Sequence, residues 1–368
     1  MLIRFEVENF RGFNRRIRFD LTAGSYEFNP SVVYNGLVKN AIVYGKNGTG
    51  KSSLGVALFD IVSTLTDKNR MHPRYLNPYT NLYNRSLEAL FCYVFNFDGQ
   101  TVEYSYSKTS PLELSRERLI CDGELLIDFD YAPGGVRFVR DNLIGQLNVT
   151  TLDGKLSAIK YIRNNLPPNA VPAISKLVDF SERMLWYRSL SDGNHYSGFT
   201  SGTGDMVEEI WRAGRLGELE QFLRSNELDY HLAIDENDAN HTLYVIFPDG
   251  RRAPFYSIIS TGTRALTLFF FWSKKAFEKV SFLFIDEFDA FFHYESAEKI
   301  VLALNAARNL QSVITSHNVY LMQNHLTRPD CCYLMTKNGI SPLCKCTDRV
   351  IREAHNLEKM YVNGAFVD

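Results

Sequence analysis

Two short stretches of this chain carry residue types that could handle phosphate chemistry. "GKNGTGKS" (Gly45–Ser52) fits G-x-x-x-x-G-K-[ST] at every position. Glycines at 45, 48 and 50 would let the backbone wrap phosphate oxygens and turn its N–H groups inward, with Asn47 and Thr49 between them. Lys51 would reach the β- and γ-phosphates of a nucleotide, Ser52 would ligate Mg²⁺, and Ser53 continues the loop. "FLFIDEFDAF" places Asp286 and Glu287 at the end of an apolar run. Asp286 there would hold the metal, and Glu287 would polarise an attacking water as general base. Acids that merely end a strand are the alternative. Asp289 reads as a loop or capping acid.

A histidine, His317, follows a third apolar run in "SVITSHNVYLM". It could hydrogen-bond a γ-phosphate, or simply be a polar residue at a strand-to-helix turn. His293 reads as a loop residue at a subunit interface. "SIISTGTRAL" contains a Ser-x-Gly turn, Ser260 and Gly262, ahead of an apolar helix. A hydroxyl and a helix N-terminus together favour an anion, although an ordinary cap has the same look. "TSGTGD", ending at Asp205, is a second stretch of similar appearance.

The elements that must position these residues alternate in kind. "LIRFEVENF" and "RRIRFDLT" alternate apolar and charged residues, as half-buried strands do. "AIVYG" is continuously apolar, as a strand buried on both faces would be. A helix should follow it, with Leu54, Ala57, Leu58, Ile61 and Leu65 on one stripe. Hairpins are expected over "ALFCYVFNF–TVEYSYS" and "LICDGELLIDF". The middle of the chain reads as mostly helical, with one helix stripe running Val171, Ile174, Leu177, Phe180 and Leu185 behind an Asn169 cap. "YHLAID", "TLYVIF" and "PFYSII" then read as strands. The division is 1–155 for an N-terminal lobe, 156–230 for an inserted helical subdomain and 231–368 for a C-terminal lobe.

With 368 residues, 45% hydrophobic, 22% charged and a net charge of −2, the chain reads as an ordinary globular protein rather than one with a nucleic-acid footprint. Arg15, Arg16 and Arg18 could still build a local basic groove, so a DNA partner stays open. Cys331, Cys332, Cys344 and Cys346 surround a hairpin without the C-x₂-C spacing of common zinc motifs, which favours reduced thiols over a metal site. "MLIRFEVENF" reads directly as a strand rather than a leader, and no apolar run is long enough to span a bilayer. Cytoplasmic placement without a membrane is the expectation.

The order of phosphate loop, "ISTGT", "FLFIDE" and "TSH" resembles the heads of ABC-type ATPases, within them the RecF/SMC-like and OLD-like group. "VENFRGF" resembles the start of that group, and "REAHNLEKMYVNGAF" is similar to the tail of AAA-type ATP-binding proteins of bacterial abortive-infection and phage-defence loci. The resemblance implies an α/β P-loop NTPase with a mixed sheet, binding ATP and Mg²⁺. It implies that Asn9 and Arg11 help line the nucleotide site. It also implies that Ser260 and Gly262 act in trans, across a head-to-tail homodimer. It further implies an output through a separate effector, a nuclease or toxin. A RecF-like DNA-repair ATPase is the alternative. No Q-loop glutamine is evident; Gln100 sits in a hairpin turn.

Overall fold

The computed structural model describes residues 1–68, 77–140, 143, 145, 147–149, 151–188, 196–198, 206–235 and 241–366. One sheet is antiparallel throughout. It contains β1 (Leu2–Glu8), β2 (Ile17–Asp20), β6 (Ala89–Phe97), β7 (Gln100–Ser110), β8 (Glu113–Cys121), β9 (Glu124–Asp130) and β10 (Arg137–Val139). Their order is β10-β9-β8-β7-β6-β1-β2. A small hairpin, β3 (Val33–Tyr34) with β4 (Leu37–Val38), leads into the central sheet.

The central sheet has the order β12-β11-β16-β17-β5-β18-β19. Its strands are β5 (Asn40–Tyr44), β11 (Met184–Arg188), β12 (Tyr196–Gly198), β16 (Phe282–Asp286), β17 (Gln311–Thr315), β18 (Cys332–Met335) and β19 (Ile340–Pro342). From β11 to β18 neighbours run parallel, and β12 and β19 add antiparallel edges. β5, β16 and β17 are buried at every position, which explains the apolar runs of β5 and β16; β17 also buries the polar Gln311, Ser312 and Thr315.

Side chains alternate across this sheet and separate two cores. Phe282, Phe284 and Val313 face α1 (Lys51–Leu58), α2 (Asp60–Leu65), α3 (Ala158–Asn165), α4 (Pro172–Glu182) and the antiparallel sheet. Leu283, Ile285 and Ile314 face the other way. There they meet α5 (Met206–Arg212), α6 (Leu216–Ser225), α7 (Phe255–Ile258), α8 (Thr261–Lys279), α9 (Tyr294–Ala306) and α10 (Leu357–Val362). A third sheet, β13 (Leu232–Ile234), β14 (Leu243–Ile246) and β15 (Arg252–Pro254), also borders this second core.

Several local expectations are corrected. The stretch after the phosphate loop is two helices, broken at Phe59. α4 starts behind Val171 with Pro172 in its first turn, so Asn169 is not the cap. Leu185 is a strand residue of β11, not the end of a helical stripe. An apolar run of five residues fits either period, and here pairing with β16 wins. "PFYSII" is mostly the short helix α7 instead of a strand. "TSGTGD" lies outside the described residues.

Buried polar groups tie the antiparallel sheet to the helices. Lys108 Nζ donates to Asp60 Oδ1 at 2.8 Å, both side chains being about as buried as core residues. The Tyr106 and Tyr79 hydroxyls donate to the same carboxylate, each at 2.9 Å. Replacing Lys108 by Met leaves that carboxylate without its cation. We expect a loss of about 3–5 kcal/mol of unfolding free energy, read by urea denaturation. The double replacement with Asp60→Leu should lose less, because no buried charge is stranded.

Candidate nucleotide site

The phosphate loop springs from the C-terminal end of β5 and passes directly into α1, as its sequence predicts. Two glycines are sterically required. A Cβ on Gly45 would lie 2.5 Å from the Met335 carbonyl oxygen. Gly50 has φ +108°, and a Cβ there would lie 2.7 Å from the Phe13 ring. The loop is therefore pinned between β18 and the turn after β1, and its amides open into the helix N-terminus. Lys51 Nζ donates to the loop's own Gly45 and Lys46 carbonyls at 2.7 and 3.2 Å. Burial pulls its ammonium below the ordinary lysine range, and the Asp286 and Glu287 carboxylates oppose that shift.

The loop borders a cleft of ≈ 830 Å³. Asn47, Gly48, Thr49, Gly50, Lys51, Ser52 and Ser53 line one wall. Asp286, Glu287 and His317 line it as well, from the end of β16 and the segments following β16 and β17. The remaining lining comes from Gly12–Arg15 and Ile17 on one side and Thr336–Asn338 on the other. Replacing Lys51 by Ala removes the one lysine of this loop buried beside both acids. We expect nucleotide affinity to fall about a hundredfold in a fluorescent-nucleotide titration, the loss of a charge-assisted phosphate contact.

Thr315, at the end of β17, organises both acids. Its hydroxyl donates to Asp286 Oδ1 at 2.7 Å and accepts the Glu287 N–H at 2.8 Å. The Thr315 carbonyl takes the Phe288 N–H at 3.0 Å. This grip holds Glu287 at φ 50°, a left-handed conformation uncommon for a side-chain-bearing residue. Asp286 is buried, and its Oδ2 has no hydrogen-bond partner. Arg188, at the end of β11, lies in register with Asp286 and places Nε 3.7 Å from that Oδ2. The same guanidinium grips Glu287 with two donors: Nε to Oε2 at 3.1 Å, and Nη2 to Oε1. Asp289 accepts the Ser316 hydroxyl at 2.8 Å; burial raises its carboxyl above the usual range and that hydrogen bond opposes the shift. Neither Thr315 nor Arg188 was marked by the sequence.

A Mg²⁺ ion fits this donor set. Asp286, whose Oδ2 has no hydrogen-bond partner, and Ser52 line the same cleft, and both side chains carry hard oxygen donors. Among the described residues no cluster of three His, Cys, Asp or Glu side chains could hold a metal by itself. A magnesium held by few protein atoms and completed by phosphate oxygens needs no such cage.

Other expected site residues lie elsewhere. Asn9 is buried away from the cleft, its amide donating to the Ser86 and Glu88 carbonyls at 2.7 and 2.8 Å. Arg11 does not line the cleft either; its backbone N–H binds the Tyr79 carbonyl at 3.0 Å. The same turn instead offers Gly12–Arg15 to the cleft. Ser260 and Gly262 lie outside it, Ser260 exposed and accepting the Thr263 N–H at 3.1 Å as the helix cap. Gln100 is the first residue of β7, its amide donating to Asp122 Oδ2 at 3.4 Å, and does not border the cleft. His293 precedes α9 and is exposed. Arg16 is paired with Glu8 and Glu6, and Arg18 with Asp20, so these arginines form no unpaired basic stripe. All six cysteines are free; burial pushes Cys332 up to about 12 and Cys344 up to about 11, which holds both as thiols.

A strand–glycine loop–helix unit one strand removed from an acid-terminated parallel strand defines a P-loop nucleotide-binding α/β protein. Residues 41–323 match the family described as "AAA domain, putative AbiEii toxin, Type IV TA system", and the chain belongs to that family. Among solved structures it is similar to the SMC head domain from Thermotoga maritima, at 16% identity, covering 92% of this chain and 97% of that one, with a TM-score of 0.43. It is also similar to an Smc head domain with an extended coiled coil, bound to the C-terminal domain of ScpA derived from Pyrococcus furiosus. The figures there are 11% identity, 92% and 95% coverage and a TM-score of 0.44. A comparison with curated proteins gave no match. Among the described residues, no helix is long and apolar enough to cross a membrane.

Proposed function

We propose that this chain is an ATP-hydrolysing switch that closes as a homodimer around two ATP·Mg²⁺ and controls a separate cytoplasmic effector, a nuclease or toxin, in bacterial anti-phage defence. One observation carries the catalytic part: Lys51, Ser52, Asp286, Glu287 and His317, from three separate stretches of sequence, border one cleft. The loop amides and Lys51 bind the phosphates. Ser52 and Asp286 would hold Mg²⁺, which would supply positive charge against the phosphates. Glu287 accepts a proton from water as its oxygen bonds to the γ-phosphorus and the bond to the bridging oxygen breaks, releasing ADP. His317 donates to the γ-phosphate. ATP rather than GTP rests on the family resemblance and on the lack of an N-K-x-D stretch.

The dimer reading is supported by the Ser260–Gly262 turn. It caps a 19-residue helix, is exposed, and does not line its own cleft. Gly262 packs so closely on the Phe291 carbonyl that a Cβ would lie 2.8 Å from it. Exposed Ile258, Phe291 and Tyr294 on the neighbouring segments supply apolar surface that a second copy would cover. The separate effector and the defence role rest on the resemblance of the tail "REAHNLEKMYVNGAF" to ATP-binding proteins of abortive-infection and phage-defence loci. Phosphate release from purified protein with and without Mg²⁺ tests the enzyme. Phage plating on cells carrying or lacking the gene and its neighbours tests the role. Equal plating removes the defence reading, whereas DNA-stimulated turnover would replace it with the repair reading.

A further inference from the structure

Arg188 pairs with both acids of the site, yet it does not border the cleft itself. It approaches from behind, off a neighbouring parallel strand. We propose that Arg188 is a positioning residue for hydrolysis, holding the Glu287 carboxylate at the angle from which it takes a proton from the attacking water. This rests on the reading of Glu287 as the general base.

The geometry favours positioning over blocking. Glu287 is fixed at both ends: its backbone N–H by the Thr315 hydroxyl at 2.8 Å, its carboxylate by the Arg188 fork. A free glutamate side chain at the rim would sample many rotamers, and aligning one costs side-chain entropy. The planar guanidinium removes that freedom while the acid is still waiting for water. It uses one acceptor direction on each oxygen. A carboxylate offers roughly four, so a direction remains for water. Lysine in the same place would be a point charge and could define no such angle. The φ of 50° at Glu287 adds a reason for a two-point hold, because it sends the side chain off a turn rather than along the strand. The nearby Asp286 Oδ2, 3.7 Å from Nε, draws the guanidinium to the sheet end and so sets where the fork sits.

The test is a double-mutant cycle on the full chain. Arg188→Ala is expected to lower kcat about tenfold to a hundredfold, with the Kd for a fluorescent ATP analogue within about threefold of the parent. Arg188→Lys should keep the fold and recover only part of kcat. In a Glu287→Gln background, Arg188→Ala should cost nothing further, because the group it positions is gone. A purely structural role would lower residual turnover equally in both backgrounds, and that result overturns the proposal. Faster turnover in Arg188→Ala overturns it too, by making the fork a restraint. If Glu287→Gln by itself keeps full turnover, the general-base reading fails instead. If Arg188→Ala does not fold, the Lys variant carries the same cycle.

Discussion

Glu287→Gln is expected to cut steady-state ATP turnover by about a thousandfold, with nucleotide affinity held within about threefold. The substitution is nearly isosteric and deletes the proton acceptor. It leaves the Thr315 hydroxyl on the residue 287 amide and keeps an amide oxygen facing Arg188. Ground-state binding comes from the loop and Lys51, which the change does not touch. Binding without turnover should then accumulate the ATP-closed dimer, seen by analytical ultracentrifugation with Mg²⁺ and ATP. Near-parental phosphate release would assign proton acceptance to another group. Normal loss of turnover with a protein that stays monomeric would retain the catalytic reading and remove the dimer.

The second large effect is at the exposed turn. Ser260→Arg should abolish ATP-dependent dimer closure and lower turnover at least about tenfold, while monomer binding of ATP is spared. The position is outside its own cleft, so a long side chain there leaves the chain's own nucleotide alone. It would instead occupy the surface that meets a second copy's γ-phosphate in the proposed dimer. Ser260 also caps α8, so losing it costs about 1 kcal/mol of stability whatever its other role. Ser260→Asp separates the two. Aspartate keeps the cap and suits the helix N-terminus, yet sets a negative charge toward phosphate. A stable Asp variant that no longer dimerises identifies a trans phosphate contact. A stable Asp variant with normal closure and turnover returns Ser260 to a helix cap.

What the amino-acid sequence determined by itself was local. A buried strand, a glycine-rich loop and a helix occupy 40–58 contiguously, so the phosphate loop was legible from spacing and apolar runs. The strand ending in Asp286 was legible for the same reason, as were the hairpins of the antiparallel sheet. Each depends on interactions within one element or one turn. Even there, long-range contacts intervene: the Asn9 amide is spent on the carbonyls of a loop almost eighty residues away.

Tertiary structure alone decided which side chains meet. Arg188 faces Glu287 across 99 residues only because β11 pairs in parallel with β16, and the apolar positions before it also fit a helical stripe ending at Leu185. Thr315 looks like any strand residue until β17 settles between the phosphate-loop strand and the acid strand, where one hydroxyl serves both acids. The physical reason is reach. Periodicity and turn chemistry report the preferences of a few consecutive residues, whereas strand order is set by burying both faces of the central sheet at once.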